Sequence, residues 1–94
     1  MPYVLVRHKV EDYTTWKPIF DEGEMARRAV GSKGGSVFRN ADDANEVFIL
    51  MEVTDLEQAR QAAQSEEMRQ SMQRAGVVDQ PDLYFLEEVD RPAA

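Results

Sequence analysis

Cysteine is absent from this 94-residue sequence, and histidine occurs once, at His8. Without cysteine there is no disulfide framework, no thiol nucleophile and no thiolate metal ligand. A single histidine also argues against a transition-metal site, because such sites take three or four ligands, most often from cysteine and histidine. We therefore expect no metal site in this protein.

Basic residues and long apolar runs are also scarce. Eleven Lys and Arg stand against eighteen Asp and Glu, which leaves a net charge of −7. This balance disfavours nucleic acids and anionic membranes as partners, because both are bound through Lys and Arg. The first nine residues carry a short apolar run broken by charge, which is neither a signal peptide nor a membrane span. We expect a cytoplasmic protein with one domain, residues 1–94.

The stretch from Ser36 to Asp55 predicts a β-hairpin. Residues 41–45 read Ala-Asp-Asp-Ala-Asn, and Asn and Asp favour turns. The flanking segments are rich in β-branched and aromatic residues, which predicts strands at Ser36–Arg39 and Glu46–Val53. The second of these strands is apolar on both faces, so we expect it to be central and covered on two sides.

The remaining chain supplies one strand and one helix before the hairpin, and one of each after it. Strand one, Tyr3–Val10, alternates so that His8 shares a face with three valines. Helix one is expected from about Tyr13 to Ala29 with a buried aromatic stripe. Pro18 predicts either a kink in that helix or a helix that opens at Pro18 itself.

Helix two is expected from Leu56 to Ala75, with a break and a fresh cap at Ser65. Strand four then follows at Leu83–Val89. The order β-α-β-β-α-β predicts an α+β, ferredoxin-like fold with a four-stranded antiparallel sheet. Two helices cover only one face of such a sheet, and a second copy of the chain is the simplest cover for the other, so we expect a homodimer.

Several segments also carry a family resemblance. The whole chain resembles the small dimeric α/β-barrel proteins, in particular the antibiotic-biosynthesis-monooxygenase-like group. The resemblance implies that two sheets pair face to face and enclose a barrel, with the helices outside. The matching segments are Tyr3–His8, Asp12-Tyr13-x-x-Trp16, Leu50–Ala59, Ser65–Met68 and Leu83–Leu86.

The resemblance implies a class of activity rather than one reaction. Such proteins include cofactorless quinol-type oxygenases, haem-degrading enzymes, isomerases and cyclases. Many carry a Trp at the end of strand three, where this chain has Val53, and the haem-degrading members use a His on the second helix, where this chain has none. We expect an enzyme without a cofactor, of monooxygenase, isomerase or cyclase type, that acts on an apolar or aromatic molecule in the barrel cavity.

Two residues are candidates for proton transfer. His8 lies on the strand face that we expect to turn toward the barrel cavity, and its ordinary pKa of about 6.5 suits a proton shuttle. The alternative, which is the commoner case, is a hydrogen-bonded histidine of the interior or of an interface. Glu52 can act as a general base if burial raises its pKa, or it can lie at a solvated strand end.

Further side chains are candidates for substrate contact. Arg7 and Arg39, if they lie on neighbouring strands, can hold an anion through bidentate hydrogen bonds, or they can pair with carboxylates such as Glu52. Trp16 can line the mouth of a pocket or simply pack in the core. The strand positions Val53 and Phe85 complete the expected substrate-binding set.

Two other functions remain open. One is a dimeric module without catalytic activity that binds a small ligand or another protein, since no catalytic constellation is evident. The other is a monomeric regulatory ferredoxin-like domain, which would leave apolar sheet surface exposed to water. A cavity of about 300 Å³ or more beside His8 would favour the enzyme.

Overall fold

Strands and helices follow one another in the predicted ferredoxin-like order, and each predicted helix is divided in two. The computed structural model describes all residues from 1 to 94. The strands form one antiparallel sheet in the order β2-β3-β1-β4. The elements are β1 Pro2–Lys9, α1 Tyr13–Glu22, α2 Glu24–Ala29, β2 Ser32–Asn40, β3 Asp43–Val53, α3 Leu56–Ala63, α4 Glu66–Arg74 and β4 Asp82–Glu87.

The predicted hairpin forms, but its strands are longer than the sequence pattern indicates. The turn shrinks to residues 41–42 because Asn40 already pairs with Asp43. At the other end, β2 begins at Ser32, four residues before the predicted start, so Gly34 and Gly35 lie within the strand. Strand β3 lies between β2 and β1, which confirms its predicted central place.

The first helical segment breaks at Gly23 and not at Pro18. Asp12 caps α1 by accepting a hydrogen bond from the Thr14 amide at 2.9 Å, and Pro18 lies inside this helix. The expectation that a helix opens at Pro18 is therefore wrong. The second segment breaks where its cap predicts, since the Ser65 hydroxyl accepts from the Met68 amide at 3.2 Å.

All the helices pack on one face of the sheet, as expected. The covered face buries Val47 completely, and Ile49 and Trp16 almost completely. On the open face, Phe38 and Tyr84 are about half exposed, at 52% and 53%. The register places apolar side chains side by side across this open face: Tyr3, Leu5, Phe38, Phe48, Leu50, Tyr84 and Leu86. None of the helices is both long and apolar enough to span a bilayer.

The hairpin depends on a glycine that cannot be replaced without a clash. A Cβ built on Gly35 would lie 1.8 Å from the carbonyl oxygen of Leu50 on the neighbouring strand. We expect Gly35→Ala to lower the free energy of unfolding by roughly 3 kcal/mol or more, because the atoms that the added Cβ meets are all backbone and no rotamer change relieves the clash. Urea denaturation measures this change. The exposed neighbour Lys33, changed to Ala, is the control and should alter stability by less than about 0.5 kcal/mol.

Candidate functional site

A cleft of about 420 Å³ lies between the covered face of the sheet and the helices. Seventeen of its twenty-six lining residues are hydrophobic, so it suits a ligand with an apolar body. The volume falls within the range of about 300–1,000 Å³ that is usual for small-molecule sites. Small side chains on α3 leave this space open, since Ala59, Ala62 and Ala63 all line the cleft.

His8 lies in the wall of this cleft. It is 2% exposed, and its ring meets the Trp16 ring edge to face with 5.7 Å between the centroids. The face that carries His8 packs under the helices, so the expectation that it turns toward a barrel between two sheets is wrong. The pattern of alternation groups His8 correctly with Val4 and Val6 but does not say which face the helices cover.

Burial affects both the charge and the hydrogen bonding of the His8 imidazole. Burial is the largest influence on the pKa of His8 and lowers it below its ordinary value; a contact with its own backbone and, more weakly, the charge of Asp79 act in the opposite direction. Its Nδ1 atom is buried and has no hydrogen-bond partner. Buried polar atoms are nearly always satisfied, so an exception in the wall of a cleft marks a candidate for proton transfer.

Aromatic rings continue from His8 along the first helix. Trp16 stacks on Phe20 at 4.8 Å and contacts Tyr13 at 5.7 Å. Trp16 is only 2% exposed and belongs to the core, yet it also lines the cleft. The two interpretations of Trp16, core packing and pocket wall, therefore both describe its position.

The two other apolar candidates differ in position. Val53 is 5% exposed and lines the cleft beside Ala59. Phe85 pairs with Val4 and shares its face, but it lies under the guanidinium of Arg60 at 4.5 Å and outside the cleft.

Arg7, Arg39 and Glu52 do not come together with His8. Strand β3 separates the strands of the two arginines, so the expectation that these strands are neighbours is wrong. Arg39 stacks on the ring of Tyr13 at 4.5 Å. Glu52 pairs with Tyr3 on the open face, outside the cleft. Periodicity assigns residues to faces within a strand, but it does not give the order of strands in the sheet.

Arg7 forms an ion-pair cluster at one end of the open face. Its Nε donates to Glu46 at 2.8 Å, and its Nη1 donates to Asp79 at 2.9 Å and to Asp82 at 3.4 Å. The prediction that Arg7 pairs with carboxylates is correct, although the partners differ from those expected. With three acidic neighbours, this guanidinium is not available to an anionic ligand.

Several charged or hydroxyl side chains of the cleft were not among the candidates from the sequence: Glu22, Arg27, Ser32, Ser65, Glu67, Ser71 and Arg74. Arg27 lines the cleft, and its Nη1 donates to the carbonyl oxygen of Phe20 at 2.7 Å. Its guanidinium lies 3.8 Å from the centroid of the Phe20 ring. Phe20 lies on α1 and Arg27 on α2, on either side of the break at Gly23, so helical periodicity gave no signal for this contact.

Metal ligands are not grouped anywhere in the structure, since no three His, Asp or Glu side chains are placed to hold one ion.

No protein-family model and no curated protein matches the sequence. The fold is nevertheless that of the antibiotic biosynthesis monooxygenases, whose solved structures superpose on nearly the whole chain. One such structure has a TM-score of 0.70 at 14% identity and covers 96% of this chain and 100% of its own.

Two further solved structures show the same fold. A mutant of SnoaB from Streptomyces nogalater, a cofactor-independent oxygenase, has a TM-score of 0.73 at 14% identity and covers 99% of this chain and 97% of its own. A protein from Bordetella bronchiseptica, provisionally designated an antibiotic biosynthesis monooxygenase, has a TM-score of 0.75 at 11% identity and covers 94% and 96%. At these identities the likeness establishes the fold.

The Arg7 cluster predicts acid sensitivity. Hydrogen bonds from Asn40 and then Arg7 lower the pKa of Glu46, and the Lys9 amide and then Arg7 lower that of Asp79. A lowered pKa means that the stabilisation is present above the ordinary carboxyl pKa of about 4 and is lost as pH falls through the lowered value. We expect Glu46→Gln to lower stability at neutral pH and to flatten its decline in acid.

Urea denaturation between about pH 3 and about pH 7 measures this difference. The exposed Glu57, changed to Gln, is the matched control and should keep the acid limb of the wild-type profile. An unchanged acid limb in Glu46→Gln would contradict the assignment.

Proposed function

We propose that this protein is a small enzyme that acts, without a bound cofactor, on an apolar or aromatic molecule in the cleft. The observation that carries the proposal is His8, a buried residue of the cleft lining whose pKa is lowered by burial and whose Nδ1 has no hydrogen-bond partner. The cleft also exceeds the volume of about 300 Å³ expected for such a site. Its location differs from the expected one, because it lies inside one chain.

The chemistry assigned to His8 is proton abstraction. A neutral imidazole accepts a proton from a carbon or oxygen acid and becomes imidazolium, and the substrate becomes an anion. In an isomerase or cyclase the proton then returns to another atom of the substrate. In an oxygenase the carbanion combines with dioxygen, and a CH₂ group becomes a carbonyl group with release of water. This overall reaction balances with dioxygen as the sole co-reactant.

The shared fold with SnoaB, a cofactor-independent oxygenase, supports the oxygenase version of this chemistry. The rings of Trp16 and Phe20 offer flat surfaces to an aromatic substrate, and Val53 closes the cleft near α3. Aromatic pairs of this kind contribute about 0.5–1.5 kcal/mol beyond the area they bury.

A dimeric binding module without catalytic activity is the second candidate. One observation favours it: the contact of the His8 ring is with Trp16, and no carboxylate is hydrogen-bonded to the imidazole to orient it. General bases are usually held by such a third group. The same cleft would then bind a ligand without changing it.

We include dimerisation through the open face in both candidate functions, the enzyme and the binding module. The apolar side chains of this face include Tyr84 at 53% exposure and Leu86 at 38%. A contiguous apolar surface of this kind on a small protein marks an interaction site. A second copy presents the same face and can cover it symmetrically.

Replacement of the His8 imidazole tests the proposed catalytic activity. We expect His8→Phe to lower turnover by about 10²-fold or more, because general-base catalysis contributes about 10²–10⁴-fold. Dioxygen uptake and product formation with a panel of hydroquinones and anthrones measure turnover. Because the pKa of His8 is lowered, the wild-type rate should reach half its maximum below about pH 6.5 and rise with pH.

The thermal stability of His8→Phe separates catalysis from folding. A phenyl ring removes the unsatisfied nitrogen, so we expect unchanged or higher stability. Turnover that survives the substitution would overturn the role of His8. Tight ligand binding without turnover across the panel would favour the binding module.

A charged side chain introduced on the open face tests the proposed dimer. We expect sedimentation velocity to show a wild-type dimer, and Tyr84→Lys to weaken it at least about thirtyfold, because a lysine would be buried in an apolar interface. Val78, which is 62% exposed and lies outside the sheet, provides the matched control Val78→Lys. A wild-type monomer at high concentration would contradict the proposed dimer.

A further inference from the structure

Arg27 is a cation in the cleft wall without a carboxylate at ion-pair distance. The other cleft-lining arginine, Arg74, pairs with Glu22 at 3.1 Å. The charges of Asp21 and Glu24 influence Arg27, but both act at longer range than a salt bridge. The one acceptor that its guanidinium contacts is the carbonyl oxygen of Phe20 at 2.7 Å.

The guanidinium of Arg27 packs against Phe20 and Gly23. On one side is the ring of Phe20, with its centroid 3.8 Å away. On the other side is Gly23, where a Cβ would lie 2.8 Å from Nη1 of Arg27. The glycine that interrupts the first helical segment therefore also makes room for this side chain.

The contacts link this cation to His8. Arg27 lies on Phe20, Phe20 stacks on Trp16, and Trp16 meets the ring of His8. A basic group thus lies at each end of a series of aromatic rings along the cleft. The two ends differ, since one is a permanent cation and the other is a neutral imidazole.

The guanidinium has more hydrogen-bonding capacity than the chain uses. It carries five N–H donors in a planar fork that matches a carboxylate or a similar anion, and one of these donors is engaged with protein. Burial lowers the pKa of Arg27, which reflects the cost of removing its charge from water. An anionic group on a ligand would offset that cost and complete the hydrogen bonds.

We propose that the cleft takes an apolar, ring-containing acid, with its anionic group on the guanidinium of Arg27 and its reacting end toward His8. This inference deepens the proposed function and depends on it only for the statement that the occupant is the substrate. The binding preference itself follows from the geometry of Arg27, Gly23 and Phe20.

Two fluorescent probes with the same aromatic frame test the preference. Anilinonaphthalene sulfonate carries an anion, and N-phenylnaphthylamine is the same frame without it. The variant Ala62→Phe fills the cleft. The probe fluorescence that this variant abolishes is taken as binding within the cleft, and the remainder is binding elsewhere, such as on the open sheet face. Ala62 is partly exposed and lines the cleft.

We expect Arg27→Gln to weaken cleft binding of the sulfonate probe roughly tenfold or more and to leave the uncharged probe within about twofold. Arg28→Gln is the matched control, because Arg28 is the next residue, is exposed and pairs with Glu24 at 3.7 Å. It should leave both probes unchanged. Gly23→Ala should weaken the sulfonate probe through displacement of the guanidinium, and Arg27→Lys should retain part of its binding.

Equal loss of both probes in Arg27→Gln, equal effects of Arg27→Gln and Arg28→Gln, or no cleft binding of the sulfonate probe would each overturn the inference. These results need no turnover. If the sulfonate preference holds while His8→Phe leaves turnover unchanged, the anion site stands and the proposed catalytic role fails. If the sulfonate preference is absent while His8→Phe abolishes turnover, the proposed catalytic role stands and the anion site fails.

Discussion

The sheet has two apolar faces, and the helices of the chain cover one of them. The central strands β1 and β3 carry apolar side chains on both sides, as shown by the pairs Val4–Met51 and Leu5–Leu50. Burial of apolar area is the dominant favourable term in folding, so each face needs a cover. The helices bury the face that carries Val4, while Leu5 and its neighbours lie on the face that no helix covers. The cleft and the proposed dimer interface are thus on opposite faces of one sheet.

The unpaired nitrogen of His8 carries a cost in stability that an apolar side chain would not carry. An unsatisfied buried nitrogen costs about 1–3 kcal/mol, whereas an aromatic contact such as that with Trp16 contributes about 0.5–1.5 kcal/mol. The contact offsets this cost only if the cost lies near the low end of its range. An apolar side chain of similar size would fill the same place without the unpaired atom.

Sequence reasoning predicts the elements of this fold better than the relations between them. The cap at Ser65 and the alternation around His8 are local signals, and both are correct. Gly23 was missed because a glycine within a helical pattern is weaker evidence for a break than Pro18. The pairing of Arg7 with Glu46 depends on strand order and register, which periodicity does not contain. The side of the sheet on which His8 lies depends on helix packing, so the cleft was placed on the wrong face.

The position of the cleft changes what a dimer would contribute. A site enclosed between two sheets would exist only in the dimer, whereas this cleft is lined from one chain, from Val4 on β1 to Leu83 on β4. Two protomers would therefore hold two separate sites, each with its own His8 and Arg27. The open face lies across the sheet from both residues, so a dimer interface there would leave the walls of each cleft intact. Covering that face would hold β1 and β3 in place, and these two strands carry His8 and Val53 into the cleft. Association would act on the site through the stability of the sheet rather than through a residue supplied by the partner.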